Sequence, residues 1–199
     1  MLFTVRRIIA LLRKPSKKGC KIFVIGINKT GTSSLGEALR ILGYDHFSTF
    51  YNKWPQLHYI IWQRLKWKGF FVWLASKYDS FDDSPWYNPS IIRLVDEKFP
   101  GSKFILLHRS KESYVNSYLA YFALFPEVPT LSDPDEIYDE YLNHQKTCLD
   151  YFADKEEKLL FLSVSEPKGF KKLGDFLGHE VPQENLPHMN KTSPRASEN

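Results

Sequence analysis

Three apolar runs stand out along the chain: KIFVIGI (residues 21–27), KFILLH (103–108) and LLFLSV (159–164). None alternates with polar residues, the pattern of strands covered on both faces. YDHFS (44–48) and YDSF (78–81) are weaker strand candidates. Helical spacing fills the gaps. Leu35, Ala38, Leu39 and Leu42 keep one face, with Gly43 at the C-terminal cap. Asn88-Pro89 opens a helix carrying Ile91, Ile92 and Val95. Asp133, followed three residues later by Glu136, is a capping-box pattern ahead of Tyr138, Tyr141, Leu142, Leu149 and Phe152. Ser165-Glu166-Pro167 opens a further helix with Phe170, Leu173 and Phe176, closed by Gly178. Strands alternating with helices predict an α/β domain whose central, mostly parallel sheet is flanked by helices in three layers.

Composition narrows this picture. The 199 residues, 43% hydrophobic and 16% aromatic, suit one globular domain with a full core. Cys20 and Cys148 make no disulfide framework and suggest no zinc site, so a reducing, cytoplasmic setting is expected. The net charge of +4 divides into +7 over residues 1–21 and −3 over the rest. A basic arm on a mildly acidic body is not the footprint of a nucleic-acid binder, which spreads its charge over the domain. The arm, residues 1–20, holds an apolar run of only Ile8–Leu12, short of the ~20 residues a spanning helix needs. It is read as an amphipathic segment that packs on its own domain or, through residues 1–14, rests on an anionic membrane surface. The domain itself is placed at 21–191 and a disordered tail at 192–199. In the segment 50–77, Trp54, Trp62, Trp67 and Trp73 make either a core face or an aromatic wall.

The chemistry is concentrated after the first strand, in VIGINKTGTSSLGEAL. A strand, a glycine-bearing turn and a helix N-terminus form an anion site, because the first helical N–H groups lack partners and the helix dipole favours negative charge. Gly31 lets backbone approach the anion, and Thr32, Ser33 and Ser34 add hydroxyls. Gly26 and Gly31 have the separation of the nucleotide P-loop G-x-x-x-x-G-K-[ST], and Ser33 sits at the magnesium hydroxyl position. Yet Thr32 stands where the P-loop lysine belongs, and the lysine, Lys29, lies inside the loop.

Lys29-Thr30-Gly31-Thr32-Ser33 resembles the 5′-phosphosulfate loop of sulfotransferases that use 3′-phosphoadenosine 5′-phosphosulfate (PAPS), Lys-[Ser/Thr]-Gly-[Thr/Ser]-[Thr/Ser]. In KFILLHRSKESYVNSY, Arg109 leaves a strand and Ser117 follows eight residues on, the spacing of that family's 3′-phosphate pair. DDSPWY (82–87) resembles an Asp-x-Pro element of many relatives, and the likeness spans roughly residues 21–191. A C-terminal Arg-Lys-Gly signature of the cytosolic small-molecule branch is missing. The resemblance implies a three-layer P-loop-type fold and metal-independent, in-line sulfuryl transfer to a hydroxyl or amine. PAPS would be the co-substrate, held by Lys29, Thr30, Gly31, Thr32, Ser33, Ser34, Arg109 and Ser117. Lys29 would carry charge on the departing phosphate, with Asp83 or Asp82, or else His46, as the base; Asp83 is favoured, and for His46 a core position is the competing reading. The tryptophans, Trp86 among them, suggest a glycan or glycolipid acceptor. The rival readings are a kinase using MgATP and a non-catalytic nucleotide-binding protein.

Overall fold

The computed structural model describes residues 20–48, 68–126 and 128–189. Among the described residues five strands alternate with six α-helices, except that two helices follow one another between the fourth and fifth strands. These are β1 (Ile22–Val24), α1 (Thr32–Ile41), β2 (His46–Ser48), α2 (Lys68–Ala75), β3 (Ser80–Asp82), α3 (Pro89–Lys98), β4 (Lys103–Leu107), α4 (Lys111–Phe122), α5 (Pro134–Phe152), β5 (Leu159–Leu162) and α6 (Gly169–Leu177). All strand pairings are parallel and the order is β2-β3-β1-β4-β5. The expected α/β domain is therefore the observed one.

Side-chain alternation on β1 explains the layering. Phe23 and Ile25 join a buried cluster with Phe71 of α2, Ile91 and Val95 of α3, and Cys148 and Phe152 of α5. Ile22 and Val24 join the opposite cluster with Leu35 and Leu39 of α1 and Phe170 and Leu173 of α6. A smaller cluster, Tyr114 and Val115 with Ile137 and Tyr141, binds α4 to α5. The unalternating runs of β1 and β4 are thus strands buried on both sides, whereas β5, at the sheet edge, buries Leu160 and Leu162 and leaves Phe161 exposed on its other face, a departure from the expected double cover.

The helices follow the expected chemistry with two differences, one in a boundary and one in a buried face. Asn88 accepts from the Ser90 N–H, and Asp133 accepts from the N–H groups of Asp135 and Glu136. Gly43 and Gly178 take the left-handed conformation after α1 and α6. However, α6 begins at Gly169 rather than at Ser165, because Lys168 turns left-handed (φ 59°) and resets the chain. On α5 the buried stripe is Ile137, Tyr141, Gln145, Cys148 and Phe152, while Leu142 and Leu149 are exposed. One residue further round the helix is about 100° away, enough to move a leucine from core to water.

Residues 1–19 of the expected basic arm, residues 50–67 of the aromatic segment and the tail at 192–199 lie outside the described residues. No helix among the described residues is long and apolar enough to cross a membrane.

Candidate active site

The sheet order sets the geometry. β1 is flanked by β3 and β4, so the chain leaving each of these strands runs beside the turn that leaves β1. Ligands of open α/β sheets gather at such strand ends. The turn is built from two left-handed residues, Lys29 (φ 71°) and Gly31 (φ 105°). Thr30 fastens it, its hydroxyl donating to the Ile27 carbonyl at 2.6 Å. The Gly31 carbonyl starts α1 by accepting from Ser34 and Leu35. The N–H groups of Lys29, Gly31, Thr32 and Ser33 have no acceptor among the described residues. Alternating backbone of this kind makes a concave nest of N–H donors for an anion. A Cβ on Gly31 would lie 2.6 Å from Val164 Cγ2, so a bare backbone is required there twice over.

Beyond β4, Arg109 reaches back to this turn. Its Nη1 donates to the Lys29 carbonyl at 2.8 Å and its Nε to Ser113 Oγ at 2.7 Å. Its own N–H donates to the Tyr141 hydroxyl at 2.9 Å, anchoring the strand end to α5. Lys29 Nζ lies 4.1 Å from the ring centroid of Tyr121. Ser113 and Tyr121, eight residues apart on α4, thus both meet the turn's neighbourhood, and half-buried Ser117 lies midway on the same helical face. Burial, then the charge of Arg109, lowers the Lys29 pKa, and Asp83 opposes them.

Asp83 follows β3 in a left-handed conformation (φ 62°), with the Thr32 hydroxyl 3.5 Å from Oδ1. Its pKa is pushed up to about 7, first by burial and then by the charge of Asp82, with Thr32 and Lys29 pulling the other way. Asp82 is buried, and its Oδ1 has no partner among the described residues. Its Oδ2 stands 3.4 Å from His46 Nε2, and His46 Nδ1 is 2.9 Å from Ser80 Oγ. The His46 side chain has no exposed surface. A Cβ on Gly36 would fall 2.6 Å from its Nε2, so α1 closes over the ring. His46 is thus a buried neighbour of Asp82, in the core position that is its competing reading.

These features meet a family match. The model of the sulfotransferase domain matches residues 21–130 and 123–194. The chain belongs to that family. A comparison with curated proteins finds no match. Among solved structures, the sulfotransferase domain from the curacin biosynthetic pathway aligns at TM-score 0.55 and 17% identity, over 86% of this chain and 77% of that one. A sulfotransferase from Alicyclobacillus acidocaldarius aligns at 0.51 and 15%, over 87% and 86%. A gluconokinase from Sinorhizobium meliloti 1021 aligns at 0.52 and 18%, over 83% and 93%. Identities this low speak for the fold, which sulfotransferases and this kinase share.

Within this sulfotransferase domain the expected residues divide by position. Lys29, Gly31, Thr32, Ser33, Arg109 and Asp83 lie at one end of the sheet around β1, and Ser117 sits on α4 between Ser113 and Tyr121. Thr30 is spent on closing the turn, and Ser34 Oγ accepts from the Met189 N–H at 3.0 Å, tying the C-terminal stretch to α1. Trp86 is fully buried against Phe23, Phe71 and Phe81, and Trp73 packs against the same cluster. Neither belongs to an open aromatic wall. Trp54, Trp62 and Trp67 lie outside the described residues. Lys171 and Lys172 pair with Asp175 and Glu166 on the surface of α6. Ser113 and Tyr121 escaped the sequence reading. Their signal was present in the spacing of four from Arg109 through Ser113 and Ser117 to Tyr121.

Proposed function

We propose that this sulfotransferase domain moves a sulfuryl group from PAPS to an acceptor hydroxyl or amine, without a metal. The observation that carries the reading is the meeting of the lysine turn with Arg109, whose guanidinium bonds the Lys29 carbonyl at 2.8 Å. In this reading the turn's free N–H groups, with Ser33 and Thr32, hold the 5′-phosphate. Arg109 and Ser117 hold the 3′-phosphate, for which a guanidinium fork is suited. The acceptor oxygen attacks sulfur, the bond from sulfur to the bridging oxygen breaks, and its electron pair goes to the nucleotide phosphate. Lys29 Nζ and the loop N–H groups stabilise that charge where it develops. Asp83 takes the acceptor's proton. A carboxyl raised to about 7 suits general-base work near neutrality. Positioning and charge stabilisation do most of the work, as in phosphoryl transfer.

A glycan or glycolipid acceptor now rests on Trp54, Trp62 and Trp67 alone, since Trp73 and Trp86 serve the core. The kinase alternative requires a lysine at position 32, where threonine stands.

Calorimetry with 3′,5′-adenosine bisphosphate, ATP and MgATP tests the reading directly. Tight binding of the bisphosphate, unaffected by EDTA, is expected. Preference for MgATP would overturn it. Lys29→Ala should abolish turnover and keep part of the bisphosphate affinity. Arg109→Ala should weaken that affinity by roughly 10- to 100-fold, the loss of charge-assisted hydrogen bonds.

A further inference from the structure

We propose that Tyr121 is a positioning residue for Lys29: its ring face seats the ammonium in the ligand-free protein and holds it aimed into the cleft. The catalytic consequence rests on the reading above; the seat itself does not.

Lys29 begins from a constrained backbone. Its φ of 71° is unusual for a residue with a side chain, and its carbonyl is pinned by Arg109. The direction of its Cβ is therefore set, and the side chain runs to α4, where Nζ rests 4.1 Å from the Tyr121 centroid. That lies well inside the ~6 Å range of a cation–π contact. The ring is itself braced by Phe122 and Phe125, at 5.1 and 5.2 Å between centroids.

Charge explains why a ring suits this place. Among the described residues two charged side chains act on the ammonium: Arg109 from the β4–α4 connection repels it, and Asp83 from beyond β3 attracts it. A carboxylate in place of Tyr121 would hold the lysine in an ion pair and repel an anionic nucleotide. An aliphatic side chain would leave the ammonium desolvated beside Arg109 with Asp83 alone to favour its charge. The negative face of an aromatic ring favours the protonated amine, yet carries no net charge to compete with a phosphate. Ser113, Ser117 and Tyr121 share one face of α4, so the helix proposed to grip the 3′-phosphate also aims the lysine.

The test compares Tyr121→Phe with Tyr121→Leu, and with Tyr121→Met as a second ring-free variant. Each is first shown folded by circular dichroism. Lys29 is titrated by NMR of its Cε group in the ligand-free protein, the signal being assigned through Lys29→Arg. Tyr121→Phe should keep the wild-type midpoint, and the ring-free variants should lower it by about half a pH unit. With PAPS and an acceptor, the ring-free variants should lose kcat roughly three- to tenfold and shift the alkaline limb to lower pH, with KM for PAPS little changed. Tyr121→Phe should retain wild-type kcat. An unmoved Lys29 midpoint in a folded ring-free variant overturns the seat, as does a Phe variant as impaired as the Leu variant. Wild-type protein that ignores 3′,5′-adenosine bisphosphate would instead overturn the sulfotransferase reading, while the ligand-free titration still decides the seat.

Discussion

Replacing Asp83 with asparagine should make the protein more stable at alkaline pH while removing its activity. Asparagine is nearly isosteric, adopts the left-handed backbone that Asp83 occupies (φ 62°) and can still accept from Thr32. The perturbation is therefore confined to charge. The folded protein holds the Asp83 proton up to about pH 7, whereas the unfolded chain releases it near 3.8. Between those values the folded state binds more protons, so this group makes stability fall as pH rises from about 4 to about 7 and adds no further slope above. Carrying a carboxyl from 3.8 to about 7 corresponds to ~4 kcal/mol at 1.36 kcal/mol per pH unit. Because the side chain is only half-buried, solvent screening reduces this to about 2 kcal/mol. Urea unfolding of both proteins at pH 4 and pH 8 measures it. The two should coincide at pH 4, and the variant should be more stable by about 2 kcal/mol at pH 8. Turnover should fall by about 10²- to 10⁴-fold, the usual contribution of a general base. A variant no more stable at pH 8 than at pH 4, relative to wild type, would refute the burial argument. One that kept the wild-type acid limb of its pH–rate profile would refute the role as base.

Two further changes probe the scaffold. Gly31→Ala places a Cβ 2.6 Å from Val164 Cγ2 in a left-handed conformation, and should cost about 2–4 kcal/mol in urea unfolding together with bisphosphate affinity. Adding Val164→Ala should recover the steric part of that loss and leave the conformational part. Asp133→Ala removes the cap on α5, far along the chain from the cleft, and should cost about 1 kcal/mol with kcat unchanged.

The sequence alone determined a good deal of this protein. Apolar runs without alternation located β1, β4 and β5; for β1 and β4 the reason is that a strand covered on both faces has no polar side to show, while β5 carries its exposed face as Phe161. Caps such as Asn88 and Asp133 were equally legible, since a cap acts on backbone two or three residues away. The Lys29–Ser33 turn and the Arg109–Ser117 spacing were readable too, and so was the family resemblance they carry. Only tertiary structure decided which of these groups meet. The order β2-β3-β1-β4-β5 brings residue 83 and residue 109 to either side of residue 29, and no local pattern encodes strand order. The pKa of Asp83 follows from what is packed around it, and so does the closure of α1 over His46. Trp86 shows the same limit: tryptophan suits a core and a sugar-binding wall alike, and its cage of Phe23, Phe71 and Phe81 comes from three separate elements. Propensity and capping act over a few residues and can be read in one dimension. Desolvation and charge act through space, between residues the chain separates by tens of positions.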